Sequence, residues 1–383
     1  MGKIEAGQRE HYWDGVRAAL MLLGIPYHTA LSYRPGRDWI VFSGEGAPVF
    51  TYLAEFLHVF RMPAFFVVAG YFAGRLLASR PPLAWLRSRY VRLGVPLLTC
   101  LVTLVPLLNL LCEVSNQPLP QALASWRHST ATSGGYWVRH LWFIIVLLYC
   151  STAAAWMAWR WPTLRVAQLP ARMDAWIARR FPLALAVTAV ALGLWEAASI
   201  ELFYAAGLAT NVPQQILRID EFLAYAPYFA LGWLLSRAPR ALARFGRLSP
   251  GAAVMAATAV TVSLARLDQL SPPVSRFVAT IGALAMTQVV IALARRLADQ
   301  PRPAIQELVS ASFVIYLFHL PVIILLVNLF QYVAMPVAAK ASLVMALTLV
   351  ISYAAWLAIS RSSWLGFLFN GTPPPARLRP ALA

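Results

Sequence analysis

The residues best equipped for chemistry in this 383-residue chain stand inside apolar runs. The stretch YWDGVRAALMLLGIPYHTALSY, residues 12 to 33, carries Asp14 and Arg17 near one end and His28 towards the other, with Pro26 between. In a helix Arg17 and His28 lie about three turns apart, on one face but roughly 16 Å apart along the axis. That is too far for a pair. One face then offers a fixed cation at one depth and a titratable imidazole at another, which suits a route across a membrane. The structural alternative is an arginine snorkelling to the surface and a histidine bonded within a bundle. Pro26 removes a backbone bond between them and is expected to kink the helix.

The next apolar stretch, YLAEFLHVFRMPAFFVVAGYFAGRLL, places Glu55, His58 and Arg61 at three-residue steps, which drift slowly around one side of a helix. An acid, an imidazole and a guanidinium near the depth of His28 could orient a base and hold an anion. They could equally form an ion-pair network that binds helices together. The segment that follows, SRPPLAWLRSRYVRLGVP, is densely basic, and Arg89 and Arg92 are spaced to share a helix face. With Arg75 and Arg87 they could bind the phosphates of a coenzyme A ester, or simply set topology and attract anionic lipid.

Three further patches carry polar groups. GGYWVRHLWFIIVLLY puts His140 and Trp142 at the outer end of a span, and RIDEFLAYAPYFALGWLL puts Asp220 and Glu221 at the outer mouth of another. ELVSASFVIYLFHLPVIILL sets Ser310, Ser312, Tyr316 and His319 within a span. The serines can bond back to their own helix, and His319 can serve packing alone. The chain has no Gly-x-Ser-x-Gly elbow, Walker loop or His-Glu-x-x-His. The chemistry best supported is general-base catalysis by an imidazole on a hydroxyl, with cations placed for a charged partner and no metal.

The elements that must position these groups are membrane helices. The chain is 60% hydrophobic and only 12% charged, about half the charged fraction of a soluble domain. Runs near 20 apolar residues recur along its length, at 14–33, 52–77, 93–112, 139–159, 182–200, 221–236, 249–267, 276–296, 308–330 and 336–359. The expected fold is therefore all-α: a polytopic integral membrane protein of about ten transmembrane helices. Residues 1–365 form the membrane domain, and 366–383 a Pro-rich tail without regular structure.

The net charge of +17 reflects topology rather than nucleic acid. With the N-terminus inside, inner loops hold Arg75, Arg80, Arg87, Arg89 and Arg92, then Arg160, Arg165, Arg172, Arg179 and Arg180, then Arg237, Arg240, Arg244 and Arg247. Outer segments hold only Arg34, Arg37, Arg127, Arg139, Arg218, Arg266, Arg276 and Lys340. Both termini are thus expected in the cytoplasm. Cys100, Cys112 and Cys150 show neither metal spacing nor a disulfide framework, and the N-terminus has no cleavable signal pattern.

Together these stretches resemble the acyltransferase 3 family of membrane-bound acyltransferases, most closely its members that act on osmoregulated periplasmic glucans. DGVRAALMLLGIPYHTALSY, HVFRMPAFFVVAGYFAG, RSRYVRLGVPLL, HLWFIIVLLY, YFALGWLL and SASFVIYLFHLPV run in the family's order from residue 14 to about 322. The resemblance implies about ten transmembrane helices in a bacterial inner membrane. It implies transfer of an acyl group, succinyl first among them, from a cytoplasmic acyl-CoA to hydroxyls of a periplasmic glucan. By that resemblance His28 is the catalytic imidazole, Arg17 a donor-side essential residue, and Arg89 and Arg92 the family's Arg-x-x-Arg. Glu55, His58 and Arg61 match the second helix.

The expected partners are membrane lipid, acyl-CoA as donor substrate rather than a permanently bound cofactor, and a glucan acceptor. The reading also allows a homodimer. Other classes stay open to the sequence: an acetyltransferase for another surface polysaccharide, a proton-coupled transporter of glucan or solute, and a non-catalytic scaffold.

Overall fold

A computed structural model describes residues 11–36, 39–132, 138–208, 216–265, 269–298 and 303–373. Arg37, Arg266 and residues 374–383 of the expected tail lie outside them. Every regular element among the described residues is helical. In chain order these are α1 (His11–Leu22), α2 (Gly24–Tyr33), α3 (Pro48–Ser79), α4 (Pro82–Arg89), α5 (Val95–Val102), α6 (Leu104–Val114), α7 (Leu119–Thr132), α8 (Trp142–Arg160) and α9 (Ala171–Arg179). They continue with α10 (Phe181–Ala205), α11 (Ile219–Leu235), α12 (Pro239–Phe245), α13 (Pro250–Ala265), α14 (Pro272–Ala298), α15 (Pro303–Phe330), α16 (Val337–Ser360) and α17 (Ser363–Asn370).

Six of these helices are long and apolar enough to cross a membrane, or up to eight if each of two bent pairs is one span. The chain is therefore a multi-pass membrane protein. One bent pair is α4–α5 with α6, turned by 41° at Thr103 within the run expected over 93–112. The other is α12 with α13, turned by 59°. The runs expected over 14–33 and 221–236 fall on α1 with α2 and on α11, which are helical but shorter than a full span.

Prolines shape the long helices. Pro26 cannot donate to the Leu22 carbonyl, and the helix breaks at Leu23 between α1 and α2. Pro63, Pro227 and Pro321 stand inside α3, α11 and α15. Each frees the carbonyl four residues earlier, and in apolar surroundings a freed carbonyl needs another donor. The Trp195 indole supplies one to Leu223, four residues before Pro227, at 2.8 Å.

Helix α3 is the central element, contacting α1, α2, α8, α11, α13 and α14. It meets α11 with almost no side chain between. A Cβ on Gly70 would fall 1.9 Å from the Phe229 carbonyl oxygen, and one on Gly232 would fall 1.9 Å from that of Val67. Small residues at a crossing let backbones approach this closely. Around α3 lies a large aromatic core that includes Trp13, Phe66, Phe143, Tyr228 and Tyr316.

The basic loops are structural in part. Arg165 donates to the carbonyls of Leu77 and Arg80 at 3.2 and 3.0 Å, and Arg237 to that of Gly74 at 2.9 Å. Arg165 thereby satisfies an orphan carbonyl in the last turn of α3, and both cations stand towards the helix end whose dipole they complement. Helix α17 runs past residue 365, where the tail was expected to begin. Its apolar WLGFLF run explains the extension, with Phe369 packing on Phe318.

Candidate active site

The site has three parts: a cavity at the arginine-rich end of the bundle, a buried histidine cluster, and a second cavity at the opposite end. The first cavity measures about 460 Å³. Arg17, Arg89 and Arg92 line it, and Asp14 is the one carboxylate among its lining residues. Arg17 lies 3.7 Å from Asp14 and its guanidinium 5.8 Å from the Phe72 ring centre. Arg89 ends α4, and Arg92 lies in the π-helical turn Tyr90–Gly94 that follows. Pro96 cannot donate to Arg92, which favours this widened turn. Gly371 closes α17 at φ 59° against the same turn, where a Cβ would fall 2.4 Å from the Arg92 Cα. That contact brings Asn370 into the cavity wall.

Deeper in, the first cavity becomes apolar, with Met21, Phe65, Phe143 and Phe229. Ser312 also lines it, and its hydroxyl donates to Val309 at 2.9 Å, as Ser310 does to Gln306 at 2.9 Å. The Phe143 ring lies 5.5 Å from Tyr316, whose hydroxyl donates to the His140 carbonyl at 2.6 Å. The apolar throat thus abuts the histidine cluster.

Three histidines from three helical segments meet there. The ring centres of His28 and His319 are 5.2 Å apart, and those of His140 and His319 are 5.4 Å apart. Pro321 explains the convergence: it leaves the Leu317 carbonyl without its helical donor, and His140 Nε2 approaches that oxygen at 3.2 Å. His319 Nδ1 lies 2.6 Å from the Tyr316 carbonyl oxygen. A carbonyl only accepts, so both nitrogens carry hydrogen. In the neutral rings His319 Nε2 and His140 Nδ1 are then bare acceptors, and neither has a partner. His28 Nδ1 is likewise buried and unpartnered. Among the described residues no group of His, Cys, Asp or Glu is arranged to hold a metal.

Arg61 completes the cluster. It is buried, its guanidinium stands 4.5 Å from the Tyr27 ring centre, and its Nε has no partner. No ion pair to Arg61 occurs among the described residues. Gly24, at the break between α1 and α2, makes room: a Cβ there would lie 3.0 Å from His319 Nε2 and 3.2 Å from Arg61 Nη1.

Other expected site residues fall elsewhere. Glu55 sits 3.5 Å from Arg34, and His58 Nδ1 lies 3.2 Å from the Tyr27 hydroxyl. Glu55 and His58 face the second cavity, whereas Arg61 turns into the cluster. The three-residue drift therefore separates their roles. His140 is buried rather than at an interface, because its N–H fills the gap above Pro321. Trp142 stacks on Tyr225 at 5.5 Å. Asp220 accepts from the Glu221 amide at 2.9 Å and Glu221 pairs with Arg218, so both finish the start of α11 and line neither cavity. Arg75 and Arg87 are exposed and also lie outside the first cavity. Tyr27 was not singled out by sequence reasoning, although it adjoins His28.

A model of the acyltransferase 3 family, described as an acyltransferase domain, matches residues 10–357. The chain belongs to this family of acyltransferases. Among relatives, the glucans biosynthesis protein C of Escherichia coli (strain K12) is 30% identical over 327 residues, covering 82% of each chain. The protein of the same name from Salmonella gallinarum (strain 287/91 / NCTC 13346) is 31% identical over 326 residues, again 82% of each. No solved structure matches the chain.

Proposed function

We propose that this acyltransferase moves a succinyl group from cytoplasmic succinyl-CoA to a hydroxyl of a periplasmic glucan, across the bacterial inner membrane. In this reading α1 with α2 and α11 also span, giving ten passes with both termini in the cytoplasm. The arginine-rich cavity then opens to the cytoplasm, in keeping with the positive-inside distribution of the loops. Arg17, Arg89 and Arg92 hold the phosphates of the donor, and the apolar throat takes the pantetheine arm and its thioester.

His28 removes the proton of the glucan hydroxyl as the oxygen attacks the thioester carbonyl. The carbon–sulfur bond breaks, and the coenzyme A thiolate leaves and takes up a proton. The observation that carries this reading is Arg61, a buried cation without a carboxylate partner beside the unpartnered nitrogens of His28 and His319. Such a charge is unfavourable unless an anion meets it. The free carboxylate of a succinyl group is that anion.

The test is transfer of labelled succinyl from succinyl-CoA to glucan by membranes carrying the protein or His28→Ala. Transfer at the unmodified rate by His28→Ala, at equal membrane abundance, would overturn the mechanism. Arg61→Gln should depress succinyl transfer by at least tenfold more than acetyl transfer. Equal losses with the two donors would remove the succinyl assignment.

A further inference from the structure

The second cavity, about 290 Å³, lies between α3, α10, α11, α13 and α14. Its polar lining differs in kind from that of the first. Glu55, His58, Glu196, Tyr225, Tyr228 and Thr280 contribute to it. The Thr280 hydroxyl stands 2.6 Å from a Glu196 carboxylate oxygen and 2.8 Å from the Arg276 carbonyl. Its single proton serves one of these at a time. The Tyr228 side chain is 2% exposed, and its hydroxyl lies beside Thr280 without a hydrogen bond of normal geometry. A buried phenol left this way is unfavourable unless a ligand meets it. Tyr225, stacked on Phe66 and Trp142 at 5.0 and 5.5 Å, gives a rigid wall. Pro63 and Val59 also line the cavity, and Pro63 has no N–H to give the Val59 carbonyl.

We propose that this cavity binds one neutral sugar ring of the acceptor, with the Glu196–Thr280–Tyr228 group hydrogen-bonding its hydroxyls. A carboxylate, a phenol and a threonine hydroxyl together accept and donate as a polyhydroxyl ring requires. The charges disfavour an anion. Glu55 and Glu196 are carboxylates, and the cavity's arginine, Arg276, is paired with Glu201. The volume sits at the small end of ligand pockets, suited to one ring rather than a folded polymer. His58 belongs to this cavity and bonds to Tyr27, whose ring lies 4.8 Å from that of His28. A chain anchored here therefore lies next to the histidine cluster. The sugar's fate as an acyl acceptor rests on the function proposed above; its binding does not.

The experiment is titration of the full-length protein in lipid nanodiscs with a short gluco-oligosaccharide, followed by calorimetry. Saturable binding is expected, weakened about tenfold by Tyr228→Phe and by Glu196→Gln, each of which alters one hydrogen-bonding group. Ala279→Leu fills the cavity without altering a polar group and should cause a similar loss. An oligosaccharide of uronic acids of the same length should bind at least tenfold more weakly than the neutral one. Unchanged affinity in all three variants, or equal binding of the uronate, overturns the subsite.

Succinyl transfer measured on the same preparations separates the two proposals. Variant-sensitive sugar binding without any acyl transfer by the unmodified protein supports the subsite and sinks the transferase reading. Transfer by the variants with an unaltered KM for glucan sinks the subsite and leaves the transferase reading standing.

Discussion

The cavity at the arginine-rich end and the cavity at the opposite end share α3 as a wall, yet their polar groups have opposite character. The first sets Arg17, Arg89 and Arg92 around Asp14, then narrows into phenylalanines. The second sets Glu55 and Glu196 among tyrosines and a threonine. In the proposed reading the first takes a polyanion with a long apolar arm and the second a neutral polyol. Between them stand His28, His140, His319 and Arg61, each of which keeps a buried nitrogen without a hydrogen-bond partner. Two ligands of different chemistry, brought to one cluster from opposite ends, is what transfer across a membrane requires.

That comparison can be broken most decisively at the cluster. His28→Ala should lower succinyl transfer about a thousandfold, within the usual range for losing a general base, without changing membrane abundance. Transfer assays on matched membranes would show it. The next largest effect belongs to the first cavity. Arg89→Gln combined with Arg92→Gln should raise the KM for acyl-CoA by at least tenfold while leaving the KM for glucan unchanged. Arg75→Gln, outside the cavity, should change neither. A matching rise in the glucan KM would show that the cavities are not separate.

Gly24→Ala probes how tightly the cluster is built. Its Cβ would press His319 Nε2 at 3.0 Å and Arg61 Nη1 at 3.2 Å. A loss in kcat of about tenfold is expected, because small displacements of positioned groups are costly to rate. The melting temperature in detergent should barely move, since both neighbours are side-chain ends. The smallest effect concerns a basic residue that faces no cavity. Arg165→Gln removes donors from the Leu77 and Arg80 carbonyls, so about 1–2 kcal/mol of stability should go. Both substrate KM values should stay as they were, as steady-state kinetics would show.

Much of this arrangement is legible in the residues. Apolar run length and loop arginines outline a multi-pass helical protein, and Asp14, Arg17 and His28 stand out because ionisable groups are rare within such runs. Other parts are not legible. Glu196 lies within an apolar run, but nothing local distinguishes it from a carboxylate paired at an interface. Arg75 and Arg87 read like Arg89 and Arg92, and the turn after α4 sends only the latter two into the cavity. Glu55, His58 and Arg61 read as one constellation because they share a helix side. The neighbours of α3 draw them apart, Arg34 to Glu55, Tyr27 to His58 and the Gly24 gap to Arg61.

The sequence by itself determined what depends on short range: helix from apolar run length, and a missing backbone donor at each proline. Pro321 guarantees a carbonyl at Leu317 in need of a donor. Only the tertiary structure decided that His140, from a helix 177 residues earlier in the chain, would fill that need and carry its ring to His319 and His28. Which helices become neighbours is set by packing of small residues such as Gly70 and Gly232 along whole faces. That selection sums many weak contacts between distant segments, and no single stretch of sequence contains it.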